Sequence, residues 1–260
     1  MSLLQNLRQR NAILYYLGVV NLAAALVLLP FLWLDEQPLL GINRWVKPFK
    51  FFVSIGIYAF TLAWLTGDLE NQRYVRRFSW LVCLCMAVEM VIITLQAFRG
   101  QKSHYHQESL EGMILYNVMG GFIVFNTILV GTLAYRFWKN RFPQLPAAYL
   151  WGIRLGLLLF LLASLEGLYM AQQPGHTVGG PDGGAGLPLL NWSTRFGDLR
   201  VAHFVGLHGL QILPLLGAAL SRGKVPFRVG WVVVTFVFLL LLTLGTYVQA
   251  IQKVPLWATY

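Results

Sequence analysis

The sequence predicts an all-α, polytopic membrane protein with seven transmembrane helices, and three observations support this fold class. First, 57% of the 260 residues are hydrophobic, only 12% are charged, and the mean hydropathy is +0.60, whereas soluble domains carry about 25% charged residues. Second, seven apolar stretches each reach the roughly 20 residues that cross about 30 Å of hydrocarbon. Third, Lys and Arg concentrate in alternate connections between these stretches, as the positive-inside rule requires.

Each predicted span is an apolar run between charged or Gly- and Pro-containing connections. The spans are 12–34, 48–67, 78–98, 110–137, 148–171, 200–220 and 228–252. The first run is long enough to cross the bilayer and is followed by the polar segment DEQP, so we interpret it as a retained helix and not as a cleavable signal. No internal repeat is evident, which predicts a single domain over residues 1–260.

The distribution of cations predicts an inside N-terminus and an outside C-terminus. This orientation places twelve of the twenty cations inside: Arg8, Arg10, Arg73, Arg76, Arg77, Arg136, Lys139, Arg141, Arg154, Arg222, Lys224 and Arg228. Because this charge lies in short loops beside spans, it favours anionic inner-leaflet lipids as partners and argues against nucleic acid. We expect an integral protein of a bacterial-type cytoplasmic (inner) membrane.

The connection 172–199 is the longest non-apolar stretch. Its glycines and prolines exclude a regular helix, yet it also contains Leu187, Leu189, Leu190 and Trp192. Loops longer than about 15 residues in compact proteins are usually functional or disordered. We therefore predict that this loop forms an outer cap over the helix ends.

Ionisable residues inside spans are costly and usually face a cavity or a partner. Glu89 and Glu166 lie in the outer halves of the third and fifth predicted spans, and all five histidines lie on the predicted outer side. This asymmetry predicts one polar chamber that opens outward, with Glu89, Glu166 and Arg99 as catalytic candidates. We expect at least one glutamate to be protonated at neutral pH or hydrogen-bonded to a histidine. The alternative is an inert cluster of helix-end side chains that satisfy one another.

A transition-metal site is one prediction for this chamber. If the fourth span started early, His104, Glu108 and Glu111 would share one helix face at i, i+4 and i+7, and such nitrogen and carboxylate ligands suit iron, manganese or zinc. The predicted metal ligands are His104, Glu108 and His208. The alternative for the two glutamates is a favourable place in the first turn of a helix.

A b-type haem is the other cofactor that the pattern allows. His203 and His208 are five residues apart, about 140° on a helix, so they diverge and cannot readily hold one ion together. Histidines on different helices can instead ligate a haem from opposite faces. The candidates for cofactor binding are His104, His203, His208 and Arg200, with the arginine placed to meet a propionate.

The segment RGQKSHYHQE, residues 99–108, connects the third and fourth spans. We expect Gly100 to permit a sharp turn. We also expect His104 to point into the chamber within reach of the sixth span, with Arg99 at the rim. His106, two residues on, should then face solvent or the cap loop.

The function predicted from these residues is a membrane-embedded oxidoreductase or metalloenzyme with its haem or metal near the outer leaflet, acting on a quinone or a lipid. One alternative is a transporter or receptor that binds a small ligand in the chamber. The other is a zinc-dependent lipid hydrolase, because seven spans with buried histidines resemble the architecture of the adiponectin-receptor and alkaline-ceramidase hydrolases. The sixth span contains HFVGLH in place of that family's H-x-x-x-H pair, and the seventh has no histidine, so no family is assigned.

Overall fold

The computed structural model describes residues 2–257 and is 70% helical. Its helices are α1 Leu3–Arg10, α2 Ala12–Leu28, α3 Phe31–Leu34, α4 Val46–Thr66, α5 Gln72–Phe98, α6 Leu110–Lys139, α7 Ala147–Ala171, α8 Leu199–Arg222 and α9 Arg228–Ile251. Four two-residue strands form two antiparallel pairs: β1 Pro38–Leu39 with β2 Ile42–Asn43, and β3 Thr177–Val178 with β4 Gly197–Asp198.

Seven helical segments within residues 2–257 are long and apolar enough to cross a membrane, which confirms the predicted number of spans. They are Ala12–Leu34, which comprises α2 and α3, together with α4, α5, α6, α7, α8 and α9. The chain is therefore an all-α integral membrane protein whose environment is a lipid bilayer. The inside and outside assignments of its termini stay a prediction.

The largest difference from the predicted bounds is at the start of α5, which begins at Gln72 and not at residue 78. The Asn71 side chain accepts a hydrogen bond from the Tyr74 amide at 3.0 Å and caps the helix. Such a cap satisfies an amide that has no partner within the helix. The helix therefore includes the arginine-rich segment RYVRRF before it becomes apolar.

The chain divides into two compact units, residues 1–126 and 127–260. In the first unit α2 packs against α4 at glycines: a Cβ on Gly18 would lie 2.5 Å from the Phe60 ring, and one on Gly56 would lie 2.8 Å from Leu22. Asn11 donates to the hydroxyl groups of Thr66 and Ser79 at 2.9 and 2.8 Å. The prediction of a single domain over 1–260 stays a prediction.

The connection between α3 and α4 in the first unit is held by one carboxylate. Asp35 accepts hydrogen bonds from the Gln37 amide, the Trp45 indole and the Arg44 guanidinium. These bonds, the Gln37 amide first, hold the pKa of Asp35 below its usual value. Arg44 also donates to the Phe98 carbonyl at 3.1 Å, which ties this connection to the end of α5.

In the second unit α7 and α8 approach each other closely at glycines. A Cβ on Gly152 would lie 2.4 Å from the Leu213 carbonyl oxygen, and one on Gly217 would lie 2.3 Å from the Ala148 carbonyl oxygen. Gly156 similarly faces the Gly209 carbonyl at 2.9 Å. Small residues of this kind let helix backbones pack closely in membranes.

The α7–α8 connection, which contains the predicted cap, is folded around two carboxylates. Asp182 accepts from the His176 ring, the His176 amide and the Thr177 amide, and Asp198 accepts from Arg200. Burial by itself would raise the pKa of Asp182, but the hydrogen bonds and positive charge of His176 outweigh it and hold that pKa well below its usual value. Strands β3 and β4 pair next to the end of α9, where a Cβ on Gly197 would lie 2.0 Å from the Ala250 carbonyl oxygen.

Candidate functional site: two carboxylate–histidine pairs

The first pair lies in the first unit and joins Glu89 on α5 to His104 in the α5–α6 connection. Glu89 is 3% exposed, and its Oε1 lies 3.9 Å from His104 Nε2. This distance is long for a hydrogen bond but short enough for an ion pair once the imidazole is protonated. Ser103 Oγ lies 3.1 Å from His104 Nδ1, and the rings of Phe51 and Tyr116 flank the imidazole.

Glu89 and Gln96 face the same way on α5, as their spacing of seven predicts, and both are buried. The Gln96 amide lies 3.3 Å from the Lys102 carbonyl, to which it donates, and 3.4 Å from His106 Nδ1. His106 is only 7% exposed and fits against Gly112, where a Cβ would lie 2.6 Å from the ring. The prediction that His106 faces solvent is therefore wrong, because α5 and the start of α6 enclose it. Its contact with the cap loop, which belongs to the second unit, stays a prediction.

Two residues with a positive φ shape the segment that contains His104 and His106. Gly100 has φ of 68° and ends α5, with its amide bonded to the Ala97 carbonyl and the Gln101 amide bonded to the Gln96 carbonyl. This is a Schellman ending, for which glycine is favoured, and the turn expected at Gly100 is present. Tyr105 also has a positive φ, 58°, which turns the chain between the two imidazoles.

The helical stripe of His104, Glu108 and Glu111 does not form, because α6 begins at Leu110 and the first two residues precede it. Glu108 is exposed and accepts from Lys102 at 3.0 Å. That hydrogen bond, with the Lys102 charge, holds the pKa of Glu108 below its usual value. Arg99 forms an exposed ion pair with Glu111, so the guanidinium predicted for the chamber rim is held by the first turn of α6.

The second pair lies in the second unit and joins Glu166 on α7 to His203 on α8. His203 Nδ1 lies 3.2 Å from Glu166 Oε2 and 2.9 Å from the Ala163 carbonyl oxygen. The ring lies directly against Gly167, where a Cβ would be 2.4 Å from the imidazole. An imidazole N–H at this position can donate to both oxygens, which leaves Nε2 free for a proton or a ligand.

His208 lies on a different face of α8 from His203. Its Nδ1 lies 2.7 Å from the Phe204 carbonyl oxygen of the preceding turn, and its ring contacts the Phe204 ring at a tilt of 37°, with centroids 4.0 Å apart. A bond from Nδ1–H to a backbone carbonyl fixes the tautomer and presents Nε2 as a lone-pair donor, the arrangement usual for a metal-ligating histidine.

The other residues predicted for a haem are placed differently. Arg200 donates to the Asp198 carboxylate through Nε and Nη2 and also to the Asn191 carbonyl. Gly206 and Gly209 pack against Ala163 and Leu159, so they serve contact between helices. Gly120 and Gly121 on α6 face open space, with nothing within 4 Å of an added Cβ.

The structure thus brings four of the predicted residues together as one pair in each unit: Glu89 with His104 in the first, and Glu166 with His203 in the second. Among residues 2–257, no group of three or more His, Cys, Asp or Glu side chains is placed to hold a metal ion. The predicted reach of His104 toward the sixth span stays a prediction, because the two histidine pairs belong to separate units.

Nothing matches this chain among family models, curated proteins or solved structures. The site is therefore interpreted from its own chemistry.

Sequence reasoning missed which histidine joins which glutamate. Each glutamate is followed seven residues later by a glutamine, Glu89 by Gln96 and Glu166 by Gln173. In the first unit the next histidine, His104, is the partner of Glu89, but in the second the next histidine is His176, which pairs with Asp182. The spacing therefore does not identify His203 as the partner of Glu166.

Proposed function

We propose that this membrane protein transfers protons at two glutamate–histidine pairs, Glu89 with His104 and Glu166 with His203, and that this transfer serves an oxidoreductase reaction. The observation that carries the proposal is the same in both units. One oxygen of the glutamate faces a histidine, while the other, Glu89 Oε2 or Glu166 Oε1, is buried without a hydrogen-bond partner among residues 2–257.

A buried carboxylate oxygen without a partner makes ionisation costly, because the charge loses its hydration. A neighbouring imidazole can share the proton, since histidine is the side chain whose ordinary pKa is nearest to neutral pH and an ion pair offsets part of that cost. Each pair can therefore hold one proton on the carboxyl group or on the ring. Side chains with these properties inside spans are typical of proton relays.

The redox component of the proposal rests on His208. Its Nδ1 is bound by the Phe204 carbonyl, and its Nε2 has no partner among residues 2–257. This nitrogen could ligate haem b or a transition-metal ion, which would supply electron transfer when bound. A quinone that received two electrons through that group from a reduced electron donor would also take up two protons, which the glutamate–histidine pairs could supply.

The redox component is tested by absorption spectroscopy and elemental analysis of the purified full-length protein. We expect a Soret band, or stoichiometric metal, that is lost in His208→Ala. His203→Ala on the same helix is the matched control and should retain the bound group. Equal retention by both variants contradicts ligation by His208.

The proton component is tested by infrared difference spectroscopy during a pH titration. We expect pH-sensitive bands of protonated carboxyl groups, one lost in Glu89→Gln and one lost in Glu166→Gln. Glu36→Gln, an exposed glutamate in a connection, is the matched control. If Glu89 and Glu166 are both fully ionised at about pH 6, near the ordinary pKa of histidine, the proposed proton transfer at these pairs is contradicted.

A perturbation of the second pair leaves both of its partners in place. Gly167→Ala puts a methyl group where the His203 ring lies, so the imidazole must move. We expect the Glu166 band to shift in this variant but not in Gly245→Ala, because a Cβ at Gly245 meets nothing within 4 Å.

A proton-coupled transporter is the second candidate, and the presence of one glutamate–histidine pair in each unit favours it. Two similar proton sites suit a cycle in which protons are taken up and released with a ligand. Glutamate bands without any bound chromophore or metal would move the assignment to this class. Proton uptake into proteoliposomes, lost in both glutamate variants, would then be the decisive measurement.

A further inference from the structure

The second unit has a cavity of about 480 Å³ at the end where α7 begins, α8 ends and α9 begins. Its wall is mostly apolar and includes Val225, Phe227 and Val229, while Ser221 and Arg228 contribute polar groups. This volume lies within the range of small-ligand sites. The cavity is at the opposite end of α7 and α8 from the Glu166–His203 pair, so it is independent of the proton site.

The charge at this end of the unit has one sign. The sequence contains no Asp or Glu in residues 127–165 or 199–260, and the three carboxylates of the unit, Glu166, Asp182 and Asp198, belong to the other helix ends. Five cations lie in the connections and at the helix ends on this side of the unit: Lys139, Arg141, Arg222, Lys224 and Arg228. Because no carboxylate of this unit lies at the same helix ends, these cations create a positive field that attracts anions.

Arg228 connects this charge to the cavity. Its Nε donates to the Val225 carbonyl at 3.1 Å, and both residues line the cavity. This hydrogen bond holds the guanidinium at the cavity wall. Its Nη1 and Nη2 have no ion-pair partner among residues 2–257 and can form a forked pair of bonds to a phosphate. Trp231, one turn further along α9, is 54% exposed, and tryptophan is enriched at the level of lipid headgroups.

We propose that this cavity binds one anionic phospholipid. The phosphate lies at Arg228, and an acyl chain follows the apolar wall toward the exposed surface of α9. The combination of an apolar wall with unneutralised cations at the end of membrane-spanning helices matches an amphiphile, whereas a free phosphate would use only the cations. An anionic headgroup is favoured over a zwitterionic one because each nearby cation attracts net negative charge.

Native mass spectrometry of the full-length protein in detergent tests the charge requirement. Phosphatidylglycerol and phosphatidylcholine with the same acyl chains are titrated separately, and we expect one phosphatidylglycerol to bind more tightly. Arg228→Gln should weaken its binding about fivefold, the effect of one cation near a membrane surface. Arg195→Gln, which removes an exposed cation from the cap loop at the other end, should leave binding unchanged.

The cavity itself is tested by filling it. Gly230 lines the cavity, and a Cβ there meets only the Phe227 Cβ at 3.7 Å, so Gly230→Leu should occupy the space and weaken phosphatidylglycerol binding. Gly245→Leu, on the same helix in open space, is the matched control. If Gly230→Leu does not fold, the two arginine variants decide the question. Equal binding of the two lipids, or equal weakening by both arginine variants, overturns the proposal.

Discussion

At the scale of single residues, His104 and His106 show how a two-residue separation gives the same side chain two different environments. His104 is partly exposed, contacts Glu89 and lies among aromatic rings, whereas His106 is buried beside Gln96 and Ser109. The positive φ of Tyr105 produces this division, because the turn directs the two rings to different neighbours. One histidine therefore suits chemistry and the other suits stability.

Substitution of the two histidines should separate these roles. We expect His106→Ala to lower the free energy of unfolding by about 1–3 kcal/mol, because the buried Gln96 amide loses a partner and the packing beside Gly112 is lost. His104→Ala should change stability less but should shift the infrared band of Glu89. Thermal unfolding of both variants in detergent provides the measurement. A larger loss of stability in His104→Ala would reverse the assignment.

At the scale of the elements, α7 and α8 are held together by contact between their backbones. Gly152 and Gly156 are spaced as G-x-x-x-G, and both face carbonyl groups of α8. Pro214 lies inside α8 at this crossing, where its Cδ would be 3.2 Å from a Cβ on Gly156. The two helices therefore meet at glycines, which leave room for the backbone and side chains of the other helix, and the position of His203 against α7 depends on that contact.

Adding one methyl group at this crossing should be enough to disturb it. Gly152→Ala places a Cβ 2.4 Å from the Leu213 carbonyl oxygen, and because backbone atoms cannot rotate away, we expect a loss of about 1–3 kcal/mol from overpacking. Gly131→Ala on α6, where nothing lies within 4 Å, should stabilise the protein or leave it unchanged. Thermal unfolding compares the two. Equal stability of both alanine variants would show that α7 and α8 can move apart at Gly152 without lowering the free energy of unfolding.

The cap between α7 and α8 depends on a different kind of contact, an ionised carboxylate at its centre. Because the pKa of folded Asp182 lies below its ordinary value of 3.8, the unfolded loop binds more protons than the folded loop below that pH. The stabilisation is complete above pH 3.8 and is lost as the pH falls further. We expect limited proteolysis of residues 172–198 by an acid-stable protease to begin only below that pH.

Asp182→Asn should expose the same loop to proteolysis at neutral pH, since the amide cannot accept as strongly from His176 and Thr177. Asp35→Asn, in the first unit, is the control and should leave the loop protected. Protection of the Asp182→Asn loop at neutral pH would mean that the strand pair and the contact with α9 are sufficient by themselves.

How far the sequence predicts the structure depends on the range of the interactions involved. Span lengths follow from local apolar composition, so α6 begins at the predicted residue 110 and α7 begins within one residue of the predicted position. The start of α5 differs because a single asparagine cap extends the helix into charged residues. The burial of His106 and the contact of Glu166 with His203 depend on residues distant in sequence, and no local pattern specifies those partners.

At the scale of the whole molecule, the number of spans and the charge of their connections together predict a topology. Seven crossings put the α4–α5, α6–α7 and α8–α9 connections on one side. These connections, with the helix ends beside them and the N-terminal segment, hold the twelve cations predicted to lie inside. The α5–α6 and α7–α8 connections would lie on the other side. His104 belongs to the first of them, and Glu166 on α7 and His203 on α8 lie near the second. The proposed proton sites would then draw on one aqueous phase, and the proposed lipid site would face the other.

Single-cysteine labelling with a reagent that cannot cross membranes tests this topology in intact cells. In a background with Cys83 and Cys85 replaced by serine, Arg73→Cys, Lys139→Cys and Lys224→Cys should be protected, because the positive-inside rule keeps these connections in the cytoplasm. Gln101→Cys and Gly184→Cys, both exposed positions in the opposite connections, should be labelled. Opposite behaviour of Arg73→Cys and Lys139→Cys would contradict the count of seven crossings. If Arg73→Cys, Lys139→Cys and Lys224→Cys are labelled while Gln101→Cys and Gly184→Cys are protected, the protein still has seven crossings but the opposite orientation.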